Sequence, residues 1–335
     1  MAPGQPRTRT TVVYLGGFGR SGSTLVERVL GTAPGWVNIG ELVDLARSVA
    51  PADELCGCGV PFSACPVWQQ VGEVAFGGWD AGVLERLAGL QRAATRQRHL
   101  PAMIAGRRRP SRPLTEMREA FARIYHAVAE VTDARVVVDA SKGPAFGYAL
   151  AGAPGVDLRM LNVIRDPRAV AWSWSRQVER PHAAAAGAAG GDEMWRIPAS
   201  RSAVQWAALQ VEVEAIGAVG GIGTARLRYE DFIDDPVATL VAATADAGAP
   251  LTAGELPPMD GGLVELGPSH GLSGNPGRFR SGTIELRADD RWVARMPAAD
   301  RRTVTAVTWP LLKAYRYPAG AGTAPADPHL PETRS

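Results

Sequence analysis

One stretch near the N-terminus constrains the fold more than any other: Val12-Val13-Tyr14-Leu15-Gly16-Gly17-Phe18-Gly19-Arg20-Ser21-Gly22-Ser23-Thr24-Leu25. An apolar run ends in glycines, a cation and a cluster of hydroxyls. Helical spacing follows at once through Leu25, Val26, Val29 and Leu30. Strand, glycine-rich turn and helix in that order aim backbone N–H groups and the positive end of a helix at one anion. The glycines permit a tight turn and close approach of backbone to ligand. Ser21, Ser23 and Thr24 add hydroxyl donors, and Arg20 adds a planar fork matched to phosphate or sulfate oxygens.

The loop is not a Walker A element. Gly17 and Gly22 have the spacing of G-x-x-x-x-G-K-[ST], but Ser23 stands where the lysine belongs. An ordinary ATP or GTP hydrolase is therefore not supported. Gly19-Arg20-Ser21-Gly22-Ser23-Thr24 instead resembles the 5′-phosphosulfate loop of sulfotransferases that use 3′-phosphoadenosine 5′-phosphosulfate (PAPS), with Arg20 where many relatives carry lysine.

The rest of the chain alternates strands and helices. Arg135–Asp139 and Leu158–Ile164 read as buried strands, and Thr224–Tyr229 as another. Residues 34–40 are extended, and a short apolar helix begins near Glu41. Residues 82–98 read as a basic amphipathic helix, followed by Arg107, Arg108 and Arg109, a solvated face or a hold for an anionic acceptor. Leu114, Met117, Phe121, Ile124, Val128 and Val131 mark a helix with one buried face. Asp166-Pro167 starts a helix expected to reach Val178, and Asp235-Pro236 one expected to reach Ala247. Residues 182–192 read as a mobile low-complexity loop, residues 250–270 as irregular, and Thr303–Leu312 as a helix interrupted by Pro310. The implied fold is α/β: a doubly wound central parallel sheet flanked by helices. The expected layout is a flexible segment 1–10, one domain over 11–317 and a disordered tail 318–335. Within that domain, residues 50–130 form a helical insertion on the acceptor side.

Val163-Ile164-Arg165-Asp166-Pro167-Arg168, with Ser173 eight residues after Arg165, resembles the 3′-phosphate motif of the same family. A strand-end arginine and a hydroxyl on the next helix can converge on one phosphate. Gly274-Asn275-Pro276-Gly277-Arg278-Phe279-Arg280 resembles more loosely the segment that closes over that phosphate, which makes Arg278 and Arg280 candidate contacts. Tyr229-Glu230-Asp231 reads as structural, and Trp172 and Trp174 as core rather than adenine stackers.

Sulfuryl transfer needs a base for the acceptor hydroxyl and cations for the departing phosphate. The cytosolic branch's Lys-Thr-His base has no counterpart here, since the matching region is Asp139-Ala140-Ser141-Lys142-Gly143. Gly40-Glu41, 21 residues beyond Arg20, resembles the Gly-Glu base of the tyrosylprotein branch and some bacterial enzymes. Glu41 is thus the expected general base, or else a charge favouring a helix N-terminus; His270 is the reserve base. Lys142 resembles the lysine placed near the bridging oxygen, with Arg20 assisting from the loop. The resemblance implies a P-loop-containing nucleotide-hydrolase-like fold, PAPS as co-substrate and a small-molecule, carbohydrate or lipid acceptor. It implies no metal, because backbone and cations already cradle the leaving group. Asp139 holds a Walker B-like place but lacks the Walker lysine as partner. A nucleotide kinase of the same broad fold, or a non-catalytic binder of PAPS or adenosine bisphosphate, are the rival readings.

Composition closes off other classes. A net charge of +2 argues against nucleic acid as a partner. No apolar run approaches the roughly 18 residues that a membrane helix needs, and no signal-peptide core is evident, so a cytoplasmic location is expected. Cys56, Cys58 and Cys65 lie close together, but structural zinc usually takes four ligands, and the histidine closest in sequence is His99. A compact cysteine-bearing loop is expected there, with zinc, or one disulfide and a spare thiol, as the other readings.

Overall fold

The computed structural model describes residues 9–104, 110–176 and 196–318. Residues Arg107–Arg109, the 182–192 loop and the tail beyond 318 lie outside these, as do the first eight residues. The chain opens with β1 (Thr10–Gly16), α1 (Ser23–Leu30) and β2 (Trp36–Asn38), then α2 (Pro66–Phe76), α3 (Ala81–Ala94), α4 (Leu100–Ile104) and α5 (Arg112–Val131). Next come β3 (Val136–Lys142), α6 (Pro144–Leu150), β4 (Val156–Ile164), α7 (Pro167–Ser175), α8 (Ala199–Val219) and β5 (Thr224–Arg228). The last elements are α9 (Tyr229–Asp234), α10 (Pro236–Ala247), β6 (Leu263–Leu266), β7 (Gly282–Glu285), α11 (Arg291–Arg295) and α12 (Ala298–Ala314).

Strands β1 to β5 form one parallel sheet in the order β2-β3-β1-β4-β5. The strand that ends in the glycine loop is central, between β3 and β4. Successive connections run to one side of β1 for β2 and β3 and to the other for β4 and β5, which leaves a crevice at the carboxyl ends of the strands. Alternation along β1 explains the double winding. Val12 and Tyr14 face a core built with α5 and α6, through Met117, Phe121, Ile124 and Phe146. Val13 and Leu15 face the opposite core, with Val26, Val29 and Leu30 of α1 and Leu240 of α10. All four β1 residues are fully buried, and each such side chain contributes about 1.5–3 kcal/mol of burial free energy. A parallel strand covered on both sides reads as an unbroken apolar run, as this one does.

Several boundaries differ from the sequence reading. β1 begins at Thr10, inside the segment expected to be flexible, and Arg9 pairs with Asp157 at 3.0 Å. The helix expected near Glu41 is a 3₁₀ turn (Leu42–Asp44) followed by a π turn (Leu45–Val49). α7 stops at Ser175, where Arg176 turns extended. The irregular 250–270 region contains β6, which pairs antiparallel with β7. Fifteen residues separate those two strands, so no tight-turn signal marks the pair. Pro310 lies inside an unbroken α12; Ala306, whose carbonyl loses its helical partner there, is exposed to water.

Candidate functional site

The glycine loop sits at the carboxyl end of β1, and two of its glycines are dictated by space. Gly17 has φ +137°, and a Cβ there would fall 2.6 Å from the Val163 carbonyl oxygen. Gly22 has φ +88°, and a Cβ would meet the Tyr229 ring at 2.2 Å. Gly22 is also the N-cap of α1, so the Ser23 and Thr24 amides precede the first intrahelical bonds, which Leu25 and Val26 donate to the Gly22 carbonyl. Arg20 holds the left-handed conformation at φ 72°, uncommon for a residue with a side chain. Its guanidinium lies 5.1 Å from the centre of the Trp174 ring.

Arg165 follows β4 directly. It donates to the Arg20 carbonyl at 3.2 Å and to the Asp289 carbonyl at 3.4 Å, and stacks 4.8 Å over the Tyr229 ring. The helix carrying Ser173 is held from both ends. Asp166 caps it, accepting from the Arg168 amide at 2.8 Å and forming a buried ion pair with the Arg168 guanidinium at 2.6 Å. The Asp166 amide donates to Glu230 at 3.0 Å, and Tyr317 donates to the other Glu230 oxygen at 2.6 Å. Trp174 ties α7 to the loop by donating to the Gly19 carbonyl at 3.0 Å. Trp174 packs against the core around Val170 and Trp206, as expected, and also borders the site; Trp172 packs against a second core formed with α8 and α12. Tyr229 and Glu230 act as structural braces.

Glu41 and Lys142 form a hydrogen-bonded ion pair, each side chain under one-fifth exposed. Glu41 makes no side-chain cap to the turn that follows it, so the helix-terminus reading has no contact behind it. Gly40, at φ +73°, presses against the backbone of Leu272, to whose carbonyl the Glu41 amide donates at 2.8 Å. A bulge at the end of β3, where Gly16 pairs with Lys142 rather than with Ser141, turns Lys142 toward Glu41 at φ 65°. Asp139 accepts from Tyr125 at 2.6 Å and from the Ser141 amide at 2.8 Å, and Ser141 in turn accepts from the Val43 amide at 2.9 Å. Burial pushes the Asp139 carboxyl up to about 6, against the downward pull of Ser141 and Tyr125. It braces the bulge and does not line the cavity. On α1, burial pushes Glu27 up to about 8, with the Lys142 charge opposing.

These pieces surround a cavity of about 450 Å³. Of the residues expected at the site, Gly19, Arg20, Gly22, Ser23, Thr24, Glu41, Lys142, Arg165, Ser173 and Arg280 line it. Ser21 and Arg278 do not. Ser21 is wholly buried. Arg278 is turned inward, donating to the Gly274 carbonyl at 3.2 Å and the Leu55 carbonyl at 3.3 Å and stacking on Phe279. It acts as a strut and lies outside the cavity lining, unlike Arg280.

The sequence reading reached only part of the roof, the 274–280 segment that carries Arg280. Leu266, Ser273, Asn275, Ile284, Glu285 and Arg287 line the cavity from the β6–β7 region. Arg28 fastens that region to α1, donating at 2.6 Å to both the Arg278 and the Gly267 carbonyls. Its place on the helix beside the loop was the available signal. Asp44 also lines the cavity and accepts from Ser273 at 2.8 Å. His270, the reserve base, is not in the lining; its ring lies against Cys56 and Cys65. Among the described residues, no helix is long and apolar enough to cross a membrane.

No known family model matches the chain, and no curated protein does. Solved structures similar to it include three sulfotransferases. The sulfotransferase domain of the Synechococcus PCC 7002 olefin synthase is 16% identical, with 95% of this chain and 98% of that one covered and a TM-score of 0.48. The sulfotransferase domain from the curacin biosynthetic pathway is 16% identical, covering 93% and 100%, at a TM-score of 0.49. The sulfotransferase STF9 from Mycobacterium avium is 11% identical, covering 94% and 78%, at a TM-score of 0.43.

Proposed function

We propose that this chain is a PAPS-dependent sulfotransferase of the Gly-Glu base type, moving a sulfuryl group in line to a hydroxyl of a small-molecule, carbohydrate or lipid acceptor. One observation carries the reading. Arg20 and Arg165, 145 residues apart and each within its own anion-binding motif, border the same cavity as the Glu41–Lys142 pair. Cations and a carboxylate in one cleft are what this transfer needs. The loop amides and Arg20 would hold the 5′-phosphosulfate, and Arg165, Ser173 and Arg280 the 3′-phosphate.

In this reading Glu41 exchanges Lys142 for the acceptor hydroxyl and takes its proton. The acceptor oxygen bonds to sulfur while the bond between sulfur and the phosphate oxygen breaks, its electron pair leaving on the phosphate. Lys142, released from Glu41, and Arg20 stabilise charge that grows on that oxygen only in the transition state. The resting ion pair keeps both groups partly desolvated and within reach of each other.

The test is incubation of the purified protein with PAPS and panels of phenols, sugars and hydroxylated lipids, read by mass spectrometry for sulfated product and adenosine 3′,5′-bisphosphate. Sulfated product with at least one panel is expected. ADP formation from magnesium ATP instead would favour the kinase. Tight bisphosphate binding with no turnover on any panel would favour the binding protein.

A further inference from the structure

Behind the roof, four metal-ligating side chains converge outside the cavity. Cys56, Cys58, Cys65 and His270 each offer one donor atom, and all four atoms lie within 4.8 Å of one another. Cys56 and Cys65 are wholly buried, and none of the three cysteines is in a disulfide. The first two belong to a tight hairpin, in which the Cys56 amide donates to the Val60 carbonyl at 2.8 Å and Gly59 donates back to Cys56 at 2.8 Å. Cys65 is the N-cap of α2. His270 arrives from 205 residues further on.

The separations have the size of a coordination tetrahedron. The Cys58 and Cys65 sulfurs are 3.8 Å apart, and His270 Nδ1 lies 3.8 Å from Cys56 Sγ and 3.3 Å from Cys65 Sγ. Zinc–sulfur and zinc–nitrogen bonds of about 2.3 and 2.0 Å at tetrahedral angles put ligand atoms about 3.5–3.8 Å apart. A disulfide needs about 2.05 Å between sulfurs and would use only two of the three. Thiols are weak hydrogen-bond donors, so hydrogen bonding alone is a poor reason to collect three of them around an imidazole.

The surroundings hold His270 in place. Trp68 donates to the His270 carbonyl at 2.8 Å, and the Gly57 amide to the Gly271 carbonyl at 2.9 Å. A Cβ at Gly57 would fall 2.8 Å from the Ser269 carbonyl oxygen, so the hairpin and this segment are in direct backbone contact.

We propose that Cys56, Cys58, Cys65 and His270 bind one zinc ion as a structural Cys₃His site. Four protein ligands close the coordination sphere, which separates it from a catalytic centre and from the transfer chemistry. The ion clips the hairpin and α2 to the segment running from His270 into the roof. Leu272, two residues on, bridges to Gly40, and Ser273, Gly274 and Asn275 line the cavity. The zinc therefore sets the height of the roof over Glu41.

The test is metal analysis of the full chain purified under reducing conditions, with cobalt titration of the metal-stripped wild type. One equivalent of zinc is expected, and cobalt should give the intense visible bands of a tetrahedral thiolate site. Cys58→Ser and His270→Ala should each weaken zinc binding about 100-fold or more. Stripping zinc should lower Tm by several degrees. Because a ligand variant can fail to fold, the wild-type cobalt spectrum is decisive. No zinc retained or taken up by reduced protein, cobalt bound without thiolate bands, or a Cys58–Cys65 disulfide in the native chain would each overturn the proposal.

Discussion

The cavity has a floor and a roof made in different ways. The floor consists of two short contiguous segments, 16–24 and 163–174, each at the carboxyl end of a central strand and each continuing into a helix. Their cross-links, Arg165 to the Arg20 carbonyl and Trp174 to the Gly19 carbonyl, join neighbours in one sheet. The roof, residues 263–287, has two four-residue strands, and its hydrogen bonds reach remote parts of the chain. Arg28 holds it to α1, Ser273 to Asp44, and Leu272 to Gly40. A floor of this kind is a rigid scaffold in which anion donors stand ready before ligand arrives. Leu266, Leu272 and Leu286 anchor this roof in the two cores, so tertiary packing rather than regular structure of its own sets its position. Binding should therefore depend on the floor, and turnover on the seam where Glu41 meets the roof.

The largest expected effect is at that seam. Glu41→Gln should lower turnover about 10²–10⁴-fold, the usual worth of a general base, while adenosine 3′,5′-bisphosphate still binds within about threefold of wild type. Steady-state rates beside calorimetry separate the two quantities; near-normal turnover removes Glu41 as base. Next comes the floor itself. Gly22→Ala places a methyl inside contact distance of Tyr229 at φ +88°. It should destabilise the chain by about 2–4 kcal/mol and weaken bisphosphate binding with it, as denaturant melts and titration would show.

Glu27 provides a pH test of the floor's packing. Its folded carboxyl holds a proton up to about pH 8, whereas the unfolded chain releases it near the ordinary 4.5. Between those values the folded state carries more protons than the unfolded one, so stability falls as pH rises and levels off above about 8. Glu27→Gln removes this contribution. Its stability advantage should grow from about pH 5 to about pH 8, reaching on the order of 1–3 kcal/mol. A difference that does not vary with pH would mean that Glu27 is ionised in the folded protein. The smallest effect belongs to the roof. In Gly274→Ala the new Cβ would lie 2.6 Å from Glu41 Oε1, the end of a movable side chain. At φ +84° the alanine should also cost about 1–2 kcal/mol of stability, less than at Gly22. Turnover should drop about tenfold with bisphosphate binding retained. Equal damage to binding would erase the distinction between floor and roof.

That distinction also explains what the sequence revealed. β1 and α1 were legible because their apolar period, glycines and hydroxyls are contiguous, and the Asp166-Pro167 helix start was visible for the same reason. The central parallel sheet followed from alternating strand and helix patterns, and the structure has it. β6 and β7 were not legible, since each is four residues long and their pairing is set by contacts with α1. His270 was considered as a base because sequence distance hid its partners. It lies 205 residues from Cys65, whereas His99, nearer in sequence, meets the Ala94 carbonyl and the Arg98 guanidinium, each at 3.4 Å. Arg278 and Arg280 looked equivalent in the sequence; only tertiary packing turns one inward and leaves the other at the cavity. Trp174 packs on the core as its residue type suggested; that its indole N–H also fixes the loop was not legible.

The central claim is that two distant motifs form one nucleotide site selective for a 3′-phosphate. Calorimetric titration of wild type and Arg165→Ala with adenosine 3′,5′-bisphosphate, beside AMP and magnesium ATP, tests it most directly. The account predicts micromolar bisphosphate binding, AMP at least about tenfold weaker, and a loss of about 10–100-fold in Arg165→Ala, the worth of one charged hydrogen-bonding group. Preference for magnesium ATP, or bisphosphate binding that Arg165→Ala leaves intact, would contradict it.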